Sequence, residues 1–395
     1  DARILKGAYI DNSDILRTVE VVSNVPVLAL CEGKSTLVNN YCDRTRILAN
    51  GNPIKLPIPK EGVASIRNLL RDYDYTSKGD FARAIGFLIT PALTQGGFLG
   101  EGRAPFFLVE KNTNNAGGSL MIKIICAIYG LKAKPINRVD NPDKTHEQIS
   151  NALLNGDGII YFDNVRGNGL QKLPFLESLL TEPYFNCRIL YGQGEADVTR
   201  RVLAVSSNGA TFSPDLASRT VKISIRKRPD GYSFYEWAEG GILEHIMENR
   251  DRYLGAIYSL IESWAKAGRP AGGNLTGFRY PQWEKAVVWI LENHFSGLPL
   301  LDYDHNEVQS QLSDPDHDLL KNLFRLVING ETRGELSATS LSEIAVDSGL
   351  IESTVEKTKF KLGKALSRRF PGDGEHAFDS GRVKIYVVTR KNQTG

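Results

Sequence analysis

Along the chain, the spacing of apolar positions changes character several times. From Val19 to Leu30, β-branched and apolar residues crowd into a run of strand type, and the Asn/Gly/Pro cluster after Leu48 is turn chemistry. Ile66, Leu69, Leu70 and Tyr73 then recur at helical spacing, and a second helix is predicted over 80–94, closing near Gln95-Gly96-Gly97. From about Ala104 short apolar runs alternate with helical ones. The pattern predicts a strand over 106–110, an Asn/Gly loop, helices over 119–129 and 145–154, and a buried-type strand over 158–163. A helix over 173–180 follows, with Pro174 tolerated in its first turn, and then strands over 188–192, 202–208 and 219–225. Such alternation is the mark of a parallel α/β core. Helical periodicity resumes over 235–266, and AGRPAGGNLTG (267–277) reads as the clearest linker. Beyond it, 281–294 and 315–327 are helical, and the tail from Ser340 reads helix, turn, helix, β-hairpin.

Composition narrows the classes. A chain of 395 residues, 41% hydrophobic and 24% charged, builds a core, holds roughly two to three domains and is not disordered. Lys plus Arg number 48 against 46 Asp plus Glu, so bulk charge neither demands nor excludes a polyanionic partner; only clustering decides. Cys31, Cys42, Cys126 and Cys187 lack zinc-ligand spacing and no secretory signal opens the chain, which reads as cytoplasmic with free thiols, Cys126 belonging to the core. The longest apolar stretch, from Met121, is too short and interrupted to span a membrane. The first residue, Asp1, reads as an internal position of a longer protein. The six histidines show no metal-binding pattern. Asp302, Asp304 and Asn306 resemble the start of a calcium loop but lack its glycine and closing glutamate.

Three features carry candidate chemistry. The first is the loop KNTNNAGGS, 111–119, between a strand and a helix. Asp163 ends a buried strand 44 residues after Ser119, and Asn208 ends another 45 residues after Asp163. A strand–loop–helix offers backbone N–H groups and a helix N-terminus to an anion, and a serine there can ligate Mg²⁺. A carboxylate on a neighbouring strand would hold the same ion, and a polar Asn would orient an attacking water. Each feature alone is common in α/β cores; their order and spacing join them into one site. One departure stands out. A GxxxxGK[ST] loop ending on Ser119 wants glycine at 112 and lysine at 118, where this chain has Asn112 and Gly118. Asn tolerates a left-handed backbone, but the lysine is the point charge that meets the β/γ phosphates. Lys111, beside the loop, and Lys123, one helical turn after Ser119, are the nearest cations to take its place.

From about Val25 onward the chain resembles the AAA+ ATPase/helicase domain of primase–helicase and replication proteins of phages and bacterial mobile elements, a group similar to the superfamily 3 viral helicases. The resemblance rests on VPVLALCEGK, DYDYTSKGDFARAIGFLITP, NAGGSL, GDGIIYFDNV, CRILYG and AVSSNGATFSPDLASRTVKI, the last two being the most specific. It implies an AAA+ P-loop core with a parallel sheet, a small N-terminal α+β domain and a C-terminal winged-helix domain. The implied segments are 1–98, an ATPase core at 99–228, a helical lid at 229–272 and a DNA-binding domain at 273–395. ATP and Mg²⁺ are the implied cofactors, with Asn115, Ala116, Gly117, Gly118 and Ser119 as the nucleotide loop and Ser119 and Asp163 on the metal side. Asp163 stands as the Walker B carboxylate. Asn164 occupies the position where many AAA+ proteins carry a catalytic Glu, leaving the general base unassigned. Asn208 stands as sensor 1, and Arg219, with Arg200 or Arg201 as rivals, as an arginine finger acting on a neighbouring subunit. A finger supplied in trans requires an oligomer, in this family a ring and usually a hexamer. The hairpin over 188–200 would point into its pore and track single-stranded DNA. Its tip, read as Gly192 to Glu195, holds no cation, leaving Arg188, Arg200 and Arg201 for phosphate contact.

The C-terminal helix carries a separate signal. Lys357, Lys361, Lys364 and Arg368 fall at i, i+4, i+7 and i+11 and share one face, opposite Val355, Leu362 and Leu366. Ser353 and Glu356 read as its capping box, and Arg382 and Lys384 lie on one face of the hairpin that follows. Helix, turn, helix, hairpin is the order of a winged helix, whose second helix commonly enters the major groove of duplex DNA. The leading expectation is a ring-forming, ATP-dependent DNA helicase or replication-initiation ATPase of a phage or mobile element. Its rivals are a nucleic-acid-binding scaffold that lost hydrolysis with its lysine, and a winged-helix transcriptional regulator. Gly118 separates them.

Overall fold

Apolar runs too continuous for a half-exposed strand build the main sheet of the protein. A computed structural model describes residues 18–111, 116–137, 139–167, 169–189, 192–302, 308–309, 312–313, 316–330, 336–351, 354–370, 374–379 and 384–389, the last two segments as backbone. The chain divides into two units, 1–210 with 218–302, and 211–217 with 303–395.

In the first unit, the run after Val19 forms β1 (Val21–Ser23), β2 (Val27–Cys31), β3 (Lys34–Val38), β4 (Tyr41–Cys42) and β5 (Ile47–Ala49). β5 pairs parallel with β1 and antiparallel with β4, β2 and β3 form a hairpin, and Val21, Val27, Ala29, Val38, Ile47 and Ala49 fill a small core. Helix α1 (Pro59–Leu69) starts on proline, whose fixed φ and missing N–H suit a first turn. After β6 (Asp74–Tyr75) comes α2 (Lys78–Gln95), capped by Ser77, whose Oγ accepts from Asp80 N at 3.0 Å.

The remaining elements of this unit are β7 (Phe106–Lys111), α3 (Gly118–Ile128), β8 (Pro135–Ile136), α4 (Pro142–Leu154), β9 (Ile159–Gly167), α5 (Phe175–Thr181), β10 (Tyr184–Ile189), β11 (Gly192–Asp197), β12 (Val202–Ala210), β13 (Thr220–Arg226), α6 (Ile242–Glu248), α7 (Arg250–Lys266) and α8 (Pro281–His294). Six strands form one sheet in the order β6-β13-β7-β12-β9-β8, parallel throughout except for β6. Phe106, Phe107, Leu108, Val109 and Phe162 have no exposed surface, as strands covered on both faces require. β7 and β9, consecutive in chain order among the long strands, are held apart by β12, and the crevice above their carboxyl ends is where α/β sheets bind ligands.

A buried ion cluster fastens α2 to this sheet. Asp80 Oδ1 accepts from Arg83 Nη2 and from Ser224 N, both at 2.7 Å. Arg83 also donates to Lys222 O at 2.6 Å, Leu300 O at 3.0 Å and Asp302 Oδ1 at 2.6 Å. Asp302, at the start of the calcium-like run, is therefore an arginine's partner.

Three expectations are corrected. The stretch 267–277 is folded down rather than a linker: Glu292 accepts from Gly273 N, Asn274 N and Asn274 Nδ2, Glu284 accepts from Thr276 N and Oγ1, and Trp264 Nε1 donates to Pro270 O. The first unit accordingly runs on to Asp302, past the expected boundary at 272/273, because α7 and α8 share the large core with α2 and α3. The hairpin expected over 188–200 is present as the antiparallel pair β10 and β11, outside the parallel sheet, but pairing of Ile189 with Gly192 places Gly192 to Glu195 inside a strand, not at a tip.

The second unit contains α9 (His317–Asn329), α10 (Ala338–Asp347), α11 (Val355–Arg369) and the antiparallel strands β14 (Gly374–Asp379) and β15 (Lys384–Thr389). Leu320, Leu323, Phe324, Leu341, Ala345, Leu362, Ala365 and Phe370 form its core. Thr354, without a side-chain cap bond, is the N-cap of α11; Ser353, the expected cap, lies outside the described residues, as does Arg382. No helix among the described residues is long and apolar enough to cross a membrane.

Candidate functional site

Ser119 and Asp163, far apart in sequence, meet at the carboxyl end of the sheet. Ser119 lies in the first turn of α3, whose N-cap, Gly117, takes a left-handed backbone at φ 92° that a glycine adopts without strain. The first N–H groups of a helix lack intrahelical acceptors and point outward. Ser119 Oγ donates to Asp163 Oδ1, and Ser206 Oγ, from β12 between them, donates to the same oxygen at 2.7 Å and lies 3.1 Å from Ser119 Oγ. Ser206 also accepts from Asn164 N at 2.9 Å.

A β-bulge aims this strand end. Val205 pairs with Phe162 but Ser207 pairs with Val165, so β9 carries one residue more than β12 across the same interval. Strict alternation would put Asp163 and Asn164 on opposite faces; the extra residue brings both to one cavity. Asn164 absorbs the distortion with φ 51°, a conformation open to Asn and costly for most side chains. That is a physical reason for Asn at a place where a Glu was the alternative.

The cavity measures about 610 Å³ and is lined by Lys111, Gly117, Gly118, Ser119, Leu120, Asp163, Asn164 and Arg166. Lys111 Nζ donates to Asn164 Oδ1 at 3.3 Å. Burial holds the Lys111 pKa below the ordinary lysine value; Asp163 opposes that shift, and Arg166 adds to it. Three hydroxyl and carboxylate oxygens within hydrogen-bond reach of one another suit Mg²⁺, a hard ion that takes few protein ligands and completes its shell with water and phosphate. Among the described residues no cluster of three His, Cys, Asp or Glu offers another cation site. A second pocket of about 320 Å³ adjoins the first through Gly117 and Leu120, and its walls include Tyr73, Phe234, Tyr235 and Trp237.

Of the residues singled out in the sequence, Gly117, Gly118, Ser119, Asp163 and Asn164 are brought together here. Ala116 lines the apolar pocket instead, and Asn115 lies outside the described residues. Asn208, two residues past Ser206, is half-buried and does not line the cavity. Glu110 accepts from Gly209 N at 2.8 Å and so fixes the chain beside it. Arg219 is at the opposite end of the sheet: its carbonyl accepts from Phe106 N at 3.0 Å, and its side chain shares a separate cavity with Arg103 and Arg279.

Arg188 is exposed on β10 and pairs with Asp143 at 2.9 Å. Arg200 pairs with Glu20 at 3.1 Å, and Arg201 donates to Gly156 O at 3.2 Å, with burial lowering its pKa. On α11, Lys357, Lys361 and Lys364 are exposed and Leu362 is fully buried, while Val355 and Leu366 are half-buried; the Arg368 side chain lies outside the described set. Sequence reasoning missed Ser206, Arg166 and Phe360, the last 79% exposed among those lysines.

No family model matches the chain, and no curated protein matches it. Solved structures similar to it include the apo C-terminal region of NrS-1, with a TM-score of 0.40 and 13% identity over 99% of this chain and 91% of that one. SCCmec type IV Cch, described as an active helicase, gives 0.38 and 12% over 98% and 82%. JCV helicase gives 0.28 and 12% over 65% and 73%. Likenesses at this level assign the chain to no family, and its function is argued from the geometry of the site.

Proposed function

We propose that the chain is a nucleoside-triphosphatase of helicase type that works on DNA. The observation that carries this reading is the convergence of Ser119, Ser206 and Asp163 oxygens beside a helix N-terminus above a parallel sheet. The α3 N–H groups would receive phosphate oxygens, and Ser119 and Asp163 would hold Mg²⁺. Bound there, the ion would supply charge neutralisation to the phosphates. The aromatic pocket beyond Gly117 would seat the base. Asn164 and Asn208 are the polar groups available to orient water, and Arg219 would complete the site of a second copy in a ring, with six copies as the reading to test. DNA would meet Arg188 and Arg200 of the first unit, single-stranded in the pore, and duplex DNA the lysine face of α11 in a winged-helix arrangement. A phage or mobile-element setting follows only from the sequence resemblance.

A second reading, nucleotide binding without hydrolysis, is favoured by one fact: Asp163 is the single carboxylate among the described residues lining the cavity. Phosphate release from Mg-ATP, measured with and without single-stranded DNA, separates the two. DNA-stimulated release that disappears in Asp163→Asn supports the motor. Tight Mg-ATP binding with no release in any condition supports the scaffold.

A further inference from the structure

Gly118 stands where a lysine-bearing phosphate loop meets the β/γ phosphates, and Lys111 and Lys123 compete to replace that charge. They are not equivalent. Lys123 is exposed on α3 and does not line the cavity. Lys111, the last residue of β7, is 7% exposed, and its stem crosses the first turn of α3. A Cβ on Gly118 would lie 2.9 Å from Lys111 Cδ and 3.0 Å from its Cγ, with Val109 Cγ1 at 3.4 Å behind. The bare glycine and the lysine seven residues earlier are thus one feature, because the stem fills the volume that any side chain at 118 would need.

We propose that Lys111 is the phosphate-binding lysine of this site, delivered from the strand before the loop instead of the helix after it, with Gly118 as the residue that makes room. The inference rests on the nucleotide reading and names its ligand as the β/γ-phosphate pair of a nucleoside triphosphate. Among the described residues, Lys111 makes one hydrogen bond, at 3.3 Å to a neutral amide oxygen, although an ammonium has three donors. The stem is buried but the ammonium borders the cavity with two donors uncommitted among the described residues, so a phosphate oxygen there would complete its shell. Its position beside Ser119 and Asp163 puts that anion next to the metal side of the cradle.

Calorimetric titration with Mg-ATP, and separately with inorganic triphosphate, tests this. Lys111→Met keeps the apolar stem and removes the charge, so it should fold as the parent does, checked by thermal melting. It should lose about 10- to 100-fold in affinity for both ligands, the size of a hydrogen bond to a charged group. Lys123→Met should bind as the parent. Gly118→Ala should weaken binding in the parent by displacing the stem and have little further effect in a Lys111→Ala background, where the added methyl keeps only the 3.4 Å contact with Val109 Cγ1. Parent-like affinity in Lys111→Met, with Asp163→Asn still losing its Mg²⁺ dependence, overturns the role of Lys111 and leaves the nucleotide site standing. Failure of the parent itself to bind either ligand overturns the site and this inference together. A Gly118→Ala penalty that persists without Lys111 overturns the coupling.

Discussion

Two charged clusters of the first unit differ in how completely their polar atoms are used. Around Arg83, Nε, Nη1 and Nη2 all donate, to Lys222 O, Leu300 O, Asp302 and Asp80. Asp80 in turn receives Ser224 N on one oxygen and Ser77 Oγ on the other. Four of the five guanidinium N–H donors are committed in these bonds alone, and both oxygens of Asp80 are engaged. In the cradle, Asp163 Oδ1 receives two serines, and Lys111 gives one weak bond to an amide. Both clusters sit in segments that a sequence reader marks as special. Only saturation tells the clamp from the site: a closed network stabilises the fold, whereas an open one keeps donors and acceptors in reserve.

The sharpest way to break this comparison is Arg83→Met. Removing one side of a buried pair leaves Asp80 uncompensated, and the loss should be about 3–5 kcal/mol in a urea titration. A loss under about 1 kcal/mol would mean that the network is ornamental. Asp163→Asn should behave in the opposite way, with a denaturation midpoint close to the parent's and Mg²⁺-dependent turnover lower by roughly 10³-fold, the several kcal/mol that a bound ion supplies. Unfolding in place of selective inactivation would move Asp163 into the clamp class.

A pH series sharpens the contrast further. Burial lowers the Lys111 pKa in the fold, so between that value and the ordinary lysine value the unfolded chain binds more protons. Ligand-free stability should therefore rise with pH through that alkaline window, and the contribution should vanish in Lys111→Met. An unchanged slope in the variant would show that Lys111 carries no desolvation cost. The smallest effect is expected on α11. Changing Lys357, Lys361 and Lys364 to Ala should flatten the dependence of log affinity on log salt by about two to three units while the fold persists. Phe360→Ser should weaken DNA binding without changing that slope, because it removes apolar contact and no charge. A parent-like slope in the triple variant would reduce this face to solvated surface.

Much of the sheet was legible because its strands are continuous apolar runs, and the Ser119–Asp163 pairing followed from a loop and a strand end in the right order. Ser206 was invisible because a small polar residue inside VLAVSS looks like filler in a buried strand. The bulge at Asp163-Asn164 leaves no mark in the sequence, since it is defined by the partner strand's register. The misread linker shows a related limit. Gly272 is held against α8, where a Cβ would come within 2.4 Å of Val288 Cγ1, so the glycine serves close packing where composition suggests flexibility.

The placement of Arg219 has a consequence in counting. Its carbonyl bonds the first residue of β7 and Lys111 is the last, so roughly 17 Å of extended strand separates the two ends at about 3.3 Å per residue. Across that span Arg219 does not meet the cradle of its own chain. If Arg219 acts on a neighbour, an open row of copies always has one cradle that no arginine reaches, and closing the row repairs that last deficit in a single event. Turnover per chain would then climb with concentration and gain a final step on closure, giving an assembly curve legible from rates alone.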